Sequence, residues 1–90
     1  MIEVIKEKPN IHDDEYYYKI VRNNIRKFRI QKNLTQQKLA DMTDLSREYI
    51  CDIENESRNK HLTIAVLGRI ADAMGIHIVN FFVTENEENK

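Results

Sequence analysis

Hydrophobic side chains recur at helical spacing along most of the chain. Val21, Ile25 and Phe28 stand at i, i+4 and i+7, which places all three on one face of a helix. Shorter stretches repeat this pattern, with inward positions at Leu39, Ala40, Leu45, Ile50, Ile53, Ile64, Leu67, Ile70, Ala71 and Met74. The pattern predicts an all-α fold of four or five short helices joined by tight links.

Capping residues mark the expected helix boundaries. Thr35, Ser46 and Thr63 each precede a periodic segment, where a hydroxyl oxygen can accept a hydrogen bond from a first-turn N–H. The acids at 13–14 suit the start of the first helix, because negative charge is favourable at a helix N-terminus. Two residues that tolerate a left-handed backbone stand where helices should end, namely Asn33 and Gly75.

The two ends of the chain lack a clear helical pattern. Residues 1–14 form an N-terminal extension that we expect to be a strand or a flexible arm, and residues 85–90 form a charged tail. Residues 15–84 are left as the single folded domain. Its last segment, 76–83, is an apolar run too short for periodicity to assign.

Composition excludes several classes of protein. Ninety residues allow one domain, and a single cysteine excludes an internal disulfide framework or a cysteine-rich zinc module. No apolar run is long enough for a membrane span or a signal peptide. The histidines are scattered, and no nucleophile stands with a base, so we expect no metal, no cofactor, no enzymatic activity and no evident small-molecule effector. The sequence therefore predicts a small, soluble, cytoplasmic domain.

The charge is unevenly distributed. The 14 basic residues nearly balance the 15 acids, which gives a net charge of −1 and argues against a nucleic-acid partner. Seven of the bases nevertheless lie between residues 16 and 40, where there is no acid. Within this segment Arg22, Arg26 and Lys27 are the candidates for attraction to phosphate.

The stretch from Gln36 to Asn55 has the spacing of a helix-turn-helix, in which two short helices are joined by a turn of three to four residues. The small Ala40 stands where the helices would cross. Three motifs follow one another along the chain: LTQ-x-x-LA, LSREYI-x-DIEN and I-x-x-L-x-x-IA-x-AMGI. Their separations resemble those of the phage-repressor/Cro (XRE-type) helix-turn-helix family. The chain resembles that family over more than two thirds of its length.

The resemblance implies a compact five-helix repressor-like domain that binds double-stranded DNA as a transcriptional regulator, with repression expected. The helix at 46–55 would enter the major groove and read bases with its N-terminal residues. Helical geometry supports this role for the helix. If Ile50 and Ile53 face the core, the opposite side of the helix faces outward. The base-reading candidates on and beside that face are Arg47, Glu48, Cys51 and Asp52.

Each candidate has a chemical reason. Arg47 can bind guanine O6 and N7 together, whereas Glu48 and Asp52 can accept from cytosine N4 or act in a structural or negatively selective role. Cys51 has no cation fixed beside its thiol, which favours a small spectator side chain over a redox switch. The candidates for DNA-backbone contact are Gln36, Gln37, Ser46, Tyr49, Asn55, Arg58, Lys60 and Arg26. The resemblance also implies a structural ion pair between Arg29 and Glu54.

The chain departs from the family pattern at two places. Asp44 occupies the turn position where the family usually has glycine, and Asp adopts the left-handed conformation at modest cost. The loop after Asn55 is longer than usual and lacks the common Gly and Pro, so the register of its contacts is open.

A homodimer is expected, because one such helix reads only a few base pairs. The resemblance implies that either Phe81 or Phe82 closes the core together with Ile78. The surplus apolar residues predict the interface, which we assign to Val79, Phe82 and Val83. The alternative interface is the N-terminal arm. The alternative function is a protein-binding module, such as an antitoxin or an adaptor, for which the acids of the reading helix are an argument.

Overall fold

The computed structural model describes residues 11–55 and 62–84, which form four α-helices and one 3-10 helix. The bounds are α1 Asp14–Gln31, α2 Gln36–Thr43, α3 Arg47–Glu54, α4 Ile64–Met74 and a 3-10 helix at Ile78–Phe82. The all-α prediction is confirmed for these residues. The expected fifth helix is 3-10 rather than α, because a five-residue segment of β-branched and aromatic residues has little helix propensity.

The predicted caps at Thr35, Ser46 and Thr63 are present, and Asp13 also caps α1. Side-chain oxygens of Asp13, Thr35, Ser46 and Thr63 accept hydrogen bonds of 2.9 to 3.1 Å from backbone N–H groups three residues later. Each cap satisfies one of the N–H groups that a helix leaves unpaired at its start, so four boundaries are fixed by local chemistry.

The predicted left-handed residues are also present. Asn33, Asp44 and Gly75 have φ angles of 59°, 60° and 68°. Asp44 therefore performs the turn that glycine usually makes, and its own N–H bonds to Ala40 O. The short links between α1, α2 and α3 follow from these reversals.

The core lies where the four α-helices and the 3-10 helix meet. Ile25, Leu39, Ile50, Ile53 and Phe81 are fully buried. Full burial of such a side chain contributes about 1.5–3 kcal/mol, so these residues hold α2 and α3 against α1. Of the two adjacent phenylalanines, Phe81 closes the core.

No helix among the described residues has the length and apolar character needed to cross a membrane. In the same residues, no group of three or more His, Cys, Asp or Glu side chains is placed to hold a metal ion.

Candidate nucleic-acid interface

The link between α2 and α3 is a tight, internally bonded turn. The buried Thr43 hydroxyl donates to Leu39 O at 2.7 Å and lies 3.2 Å from Ala40 O. The Leu45 N–H donates to Ala40 O at 3.1 Å, which closes the end of α2 around Asp44. The two helices of the motif are therefore held at a fixed angle by backbone and core contacts.

One side of α3 is in the core and the other is open. Ile50 and Ile53 are fully buried, and Tyr49 packs partly against the core. Arg47 and Glu48 at the N-terminus of α3 are exposed, while Cys51 and Asp52 are half-buried. Of the four base-reading candidates, the first two are thus the most accessible.

The carboxylate of Glu54, at the C-terminal end of α3, bonds to side chains of α1 and α2. Glu54 Oε2 accepts from Arg29 Nε at 2.7 Å, and Glu54 Oε1 accepts from Arg29 Nη2 at 2.9 Å. Gln36 Nε2 donates to the same Oε1 at 3.2 Å, and Arg29 Nη1 donates to Leu34 O at 2.7 Å. A single ion pair therefore joins the end of α1, the link that follows it, the start of α2 and the end of α3.

The contact between Gln36 and Glu54 was not foreseen from the sequence. The two residues are separated by 18 positions, and no local pattern pairs them. The neighbouring Gln37 is exposed and donates to Asp41 Oδ1 at 2.9 Å, one helical turn further along. The first two residues of α2 thus have their amide groups held by different acids.

The other backbone-contact candidates differ in exposure. Arg26 is exposed on α1, Ser46 is exposed at the cap of α3, and Asn55 is half-buried after it. The candidates Arg58 and Lys60 lie outside the described residues. The Ser46 hydroxyl oxygen accepts from Tyr49 N, and its own hydrogen remains available to donate to another group.

Arg22 is a correction to the predicted basic surface. It is 1% exposed, and its Nη1 lies 3.1 Å from Glu15 Oε1. Its position directly after Val21 on the buried side of α1 turns it inward, so Arg22 is withdrawn from any phosphate. Lys27 is half-buried with its ammonium 4.9 Å from the centre of the Phe28 ring, which leaves Arg26 as the open cation of the three.

Arg69 is a further cation that the sequence did not single out. It is exposed on α4, and its Nη1 lies 3.3 Å from the carbonyl oxygen of Thr43, the last residue of α2. A cation is favourable at a helix C-terminus. The contact joins residues 26 apart in the chain, so no sequence spacing could have predicted it.

The C-terminal segment exposes an apolar surface. Val79 and Phe82 are 53% and 46% exposed, and Val83 is half-buried. Phe82 also lines two surface cavities, of about 400 and about 170 Å³, and Tyr17 of α1 lines both. This surface belongs to the 3-10 helix and α1.

The chain is similar in sequence to a known protein family and to control proteins of two bacteria. The family described as helix-turn-helix matches residues 25–81. Control protein C.SmaI of Serratia marcescens is 30% identical over 71 residues, which cover 79% of this chain and 82% of that protein. Control protein C.BamHI of Bacillus amyloliquefaciens is 36% identical over 70 residues, covering 73% and 84%.

A solved structure agrees in fold. The crystal structure of the hypothetical transcription factor NHTF from Neisseria superposes with a TM-score of 0.75 and covers 91% of this chain and 92% of that one. At 21% sequence identity this likeness concerns the fold alone.

Proposed function

Because this chain belongs to the helix-turn-helix family, we propose that it is a sequence-specific regulator of transcription that reads duplex DNA with α3. The observation that carries the proposal is the presentation of α3. Its inner side is anchored by two fully buried isoleucines, and Arg47 and Glu48 stand exposed at its N-terminal end. An anchored helix of this kind can enter a major groove with its base-reading end first.

The proposed base contacts follow from exposure and chemistry. Arg47 donates in a fork to guanine O6 and N7, and Glu48 accepts from a cytosine N4 amino group. Cys51 and Asp52, half-buried one turn further along, contribute at the edge of the reading surface. Glu48 and Asp52 bring negative charge near the DNA phosphates. They therefore weaken DNA binding wherever the base that faces them is not cytosine.

The proposed backbone contacts surround α3. Gln36 and Gln37 begin α2, where free N–H groups favour an anion such as phosphate. Arg26 supplies an exposed positive charge from α1. Further contacts to the sugar-phosphate backbone are assigned to Ser46, Tyr49, Asn55, Arg58 and Lys60.

We propose that the active form is a homodimer. Two copies related by a two-fold axis would place two α3 helices about 34 Å apart, one turn of DNA. Val79, Phe82 and Val83 supply the apolar surface between the copies, and two of them are about half exposed.

Selection from a random pool of duplex DNA by the full chain tests the proposed function. The expected result is enrichment of one sequence present as two inverted copies about one helical turn apart. A pool that shows no enrichment after repeated rounds contradicts the proposal and favours the alternative, a module that presents the same α3 surface to a protein.

A further inference from the structure

Asn24 on α1 is bonded to the backbone on both sides of Phe82. The residue is 6% exposed. Its Nδ2 donates to Phe81 O at 2.8 Å and to Val83 O at 2.9 Å, across 57 and 59 positions of sequence. Both hydrogens of one buried amide are thus used by the two carbonyl groups that flank a single residue.

These bonds hold the backbone around Phe82 against α1. Phe81 and Phe82 are adjacent and have the same side chain, but they lie in different environments. In the structure Phe81 is fully buried and Phe82 is 46% exposed. Loss of the Asn24 amide would leave the two carbonyl groups that hold this backbone against α1 without their donor, at a cost of about 1–3 kcal/mol for each buried group.

We propose that Asn24 is a positioning residue for dimerisation, which ties the backbone of residues 81–83 to α1 so that Phe82 faces a second copy of the chain. This inference rests on the homodimer of the proposed function. It assigns a role to a residue that precedes the family-matched segment at 25–81.

A second copy fits the surface around Phe82 better than DNA does. The smaller cavity beside it, of about 170 Å³, is lined by Tyr17, Tyr18, Val21, Leu62, Ile64, Leu67 and Phe82, none of which is charged. Ile64, which the periodicity predicted to face inward, is instead 73% exposed on its rim, and Tyr17 is 58% exposed. A phosphate backbone would find no cation among these lining residues, whereas an identical apolar surface related by two-fold symmetry buries them without burying a charge.

The test compares two buried polar residues whose hydrogen bonds differ: Asn24 bonds to the distant segment 81–83, and the Thr43 hydroxyl bonds within its own helix. Asn24→Leu keeps the approximate shape and removes both donors. Thr43→Val removes a hydroxyl that is equally buried, at 2% exposure, but bonds only within α2. Sedimentation equilibrium of the full-length variants gives the dimer dissociation constant, and thermal unfolding gives the stability of each.

We expect Asn24→Leu to weaken dimerisation at least about tenfold, because the flanking carbonyls no longer hold Phe82 outward. Thr43→Val should lower the melting temperature while the dissociation constant stays within about twofold of wild type. Asn24→Ser, which retains one donor, covers the case in which the leucine variant does not fold and should weaken dimerisation by a smaller factor.

Phe82→Ser separates this inference from the proposed function. If it weakens dimerisation while both Asn24 variants melt earlier with an unchanged dissociation constant, Asn24 is merely structural and the inference is overturned. If Phe82→Ser also leaves dimerisation unchanged, the proposed interface itself is wrong. If Phe82→Ser, Asn24→Leu and Asn24→Ser all weaken dimerisation, the result supports both the proposed interface and the positioning role of Asn24.

Discussion

The carboxylate of Glu54 at the end of α3 is bound through both oxygens by the guanidinium of Arg29 on α1. The two N–O distances are 2.7 and 2.9 Å, and the side chains are 3% and 11% exposed. The same pair reaches Leu34 and Gln36, so it sets where α2 begins relative to α3. The reading helix is thus held at its C-terminal end by charge and along its inner side by the core.

Removal of either partner should be costly. Arg29→Ala or Glu54→Ala strands a buried charge and should lower the free energy of unfolding by about 3–5 kcal/mol. Denaturant titration followed by circular dichroism measures the change. Asp41→Ala is the control, since Asp41 is exposed and bonds to the exposed Gln37, and it should change stability by less than about 0.5 kcal/mol. Equal effects of the buried and exposed substitutions would contradict the structural role.

The sequence predicted best what is decided locally. The caps at Thr35, Ser46 and Thr63 depend on residues three positions apart, so the sequence contains the whole cause. Asp44 was likewise expected in the left-handed region on the resemblance to a family glycine, and its φ of 60° agrees. The ion pair between Arg29 and Glu54, which the resemblance implied, is present with both oxygens engaged.

The sequence failed where a side chain is oriented by a distant element. Arg22 reads as one more exposed base, but it lies on the buried side of α1 and pairs with Glu15. The role of Asn24 could not be predicted from the sequence, because it bonds to carbonyls nearly sixty residues away. The choice between Phe81 and Phe82 for the core was also left open, because no local pattern distinguishes two adjacent phenylalanines.

The turn at Asp44 predicts two glycine substitutions of opposite sign. Asp44→Gly relieves a left-handed conformation that costs an L-residue about 1–2 kcal/mol, and after the entropy of glycine is subtracted it should stabilise by up to about 1 kcal/mol. Asp41→Gly, three residues earlier inside α2, should destabilise by about 0.3 kcal/mol, because aspartate is itself a weak helix former. Chemical denaturation of both variants checks the signs. A loss of stability at Asp44 would show that its side chain contributes more than its backbone strain costs.

The proposed dimer interface predicts a change in oligomeric state. Val79→Ser with Val83→Ser removes apolar surface from the C-terminal segment and should shift the full-length protein toward monomer in sedimentation velocity runs. Ile30→Ser is the matched control, because Ile30 is 50% exposed on α1 but lies outside the proposed interface. A dimer unchanged by the double substitution would move the interface elsewhere, with the N-terminal arm as the next candidate.

The phosphate contacts predict a salt dependence. Each neutralised phosphate contributes about −0.9 to the slope of log affinity against log salt concentration. Arg26→Ala should therefore make that slope shallower by about 0.9, whereas Arg26→Lys keeps the charge and the slope. Titrations of the selected duplex at several salt concentrations measure it. An unchanged slope in the alanine variant would remove Arg26 from the DNA-facing surface.

The most direct test of reading by α3 is the base preference of Arg47→Ala. Gel-shift titrations compare wild type and variant on the selected duplex and on duplexes that carry each single base-pair change. We predict that the variant loses about 1–3 kcal/mol on the selected duplex and becomes indifferent to the base pair at one position in each half-site. A variant that binds as tightly as wild type, or that loses affinity equally for all duplexes, would contradict base reading by Arg47 at the N-terminus of α3.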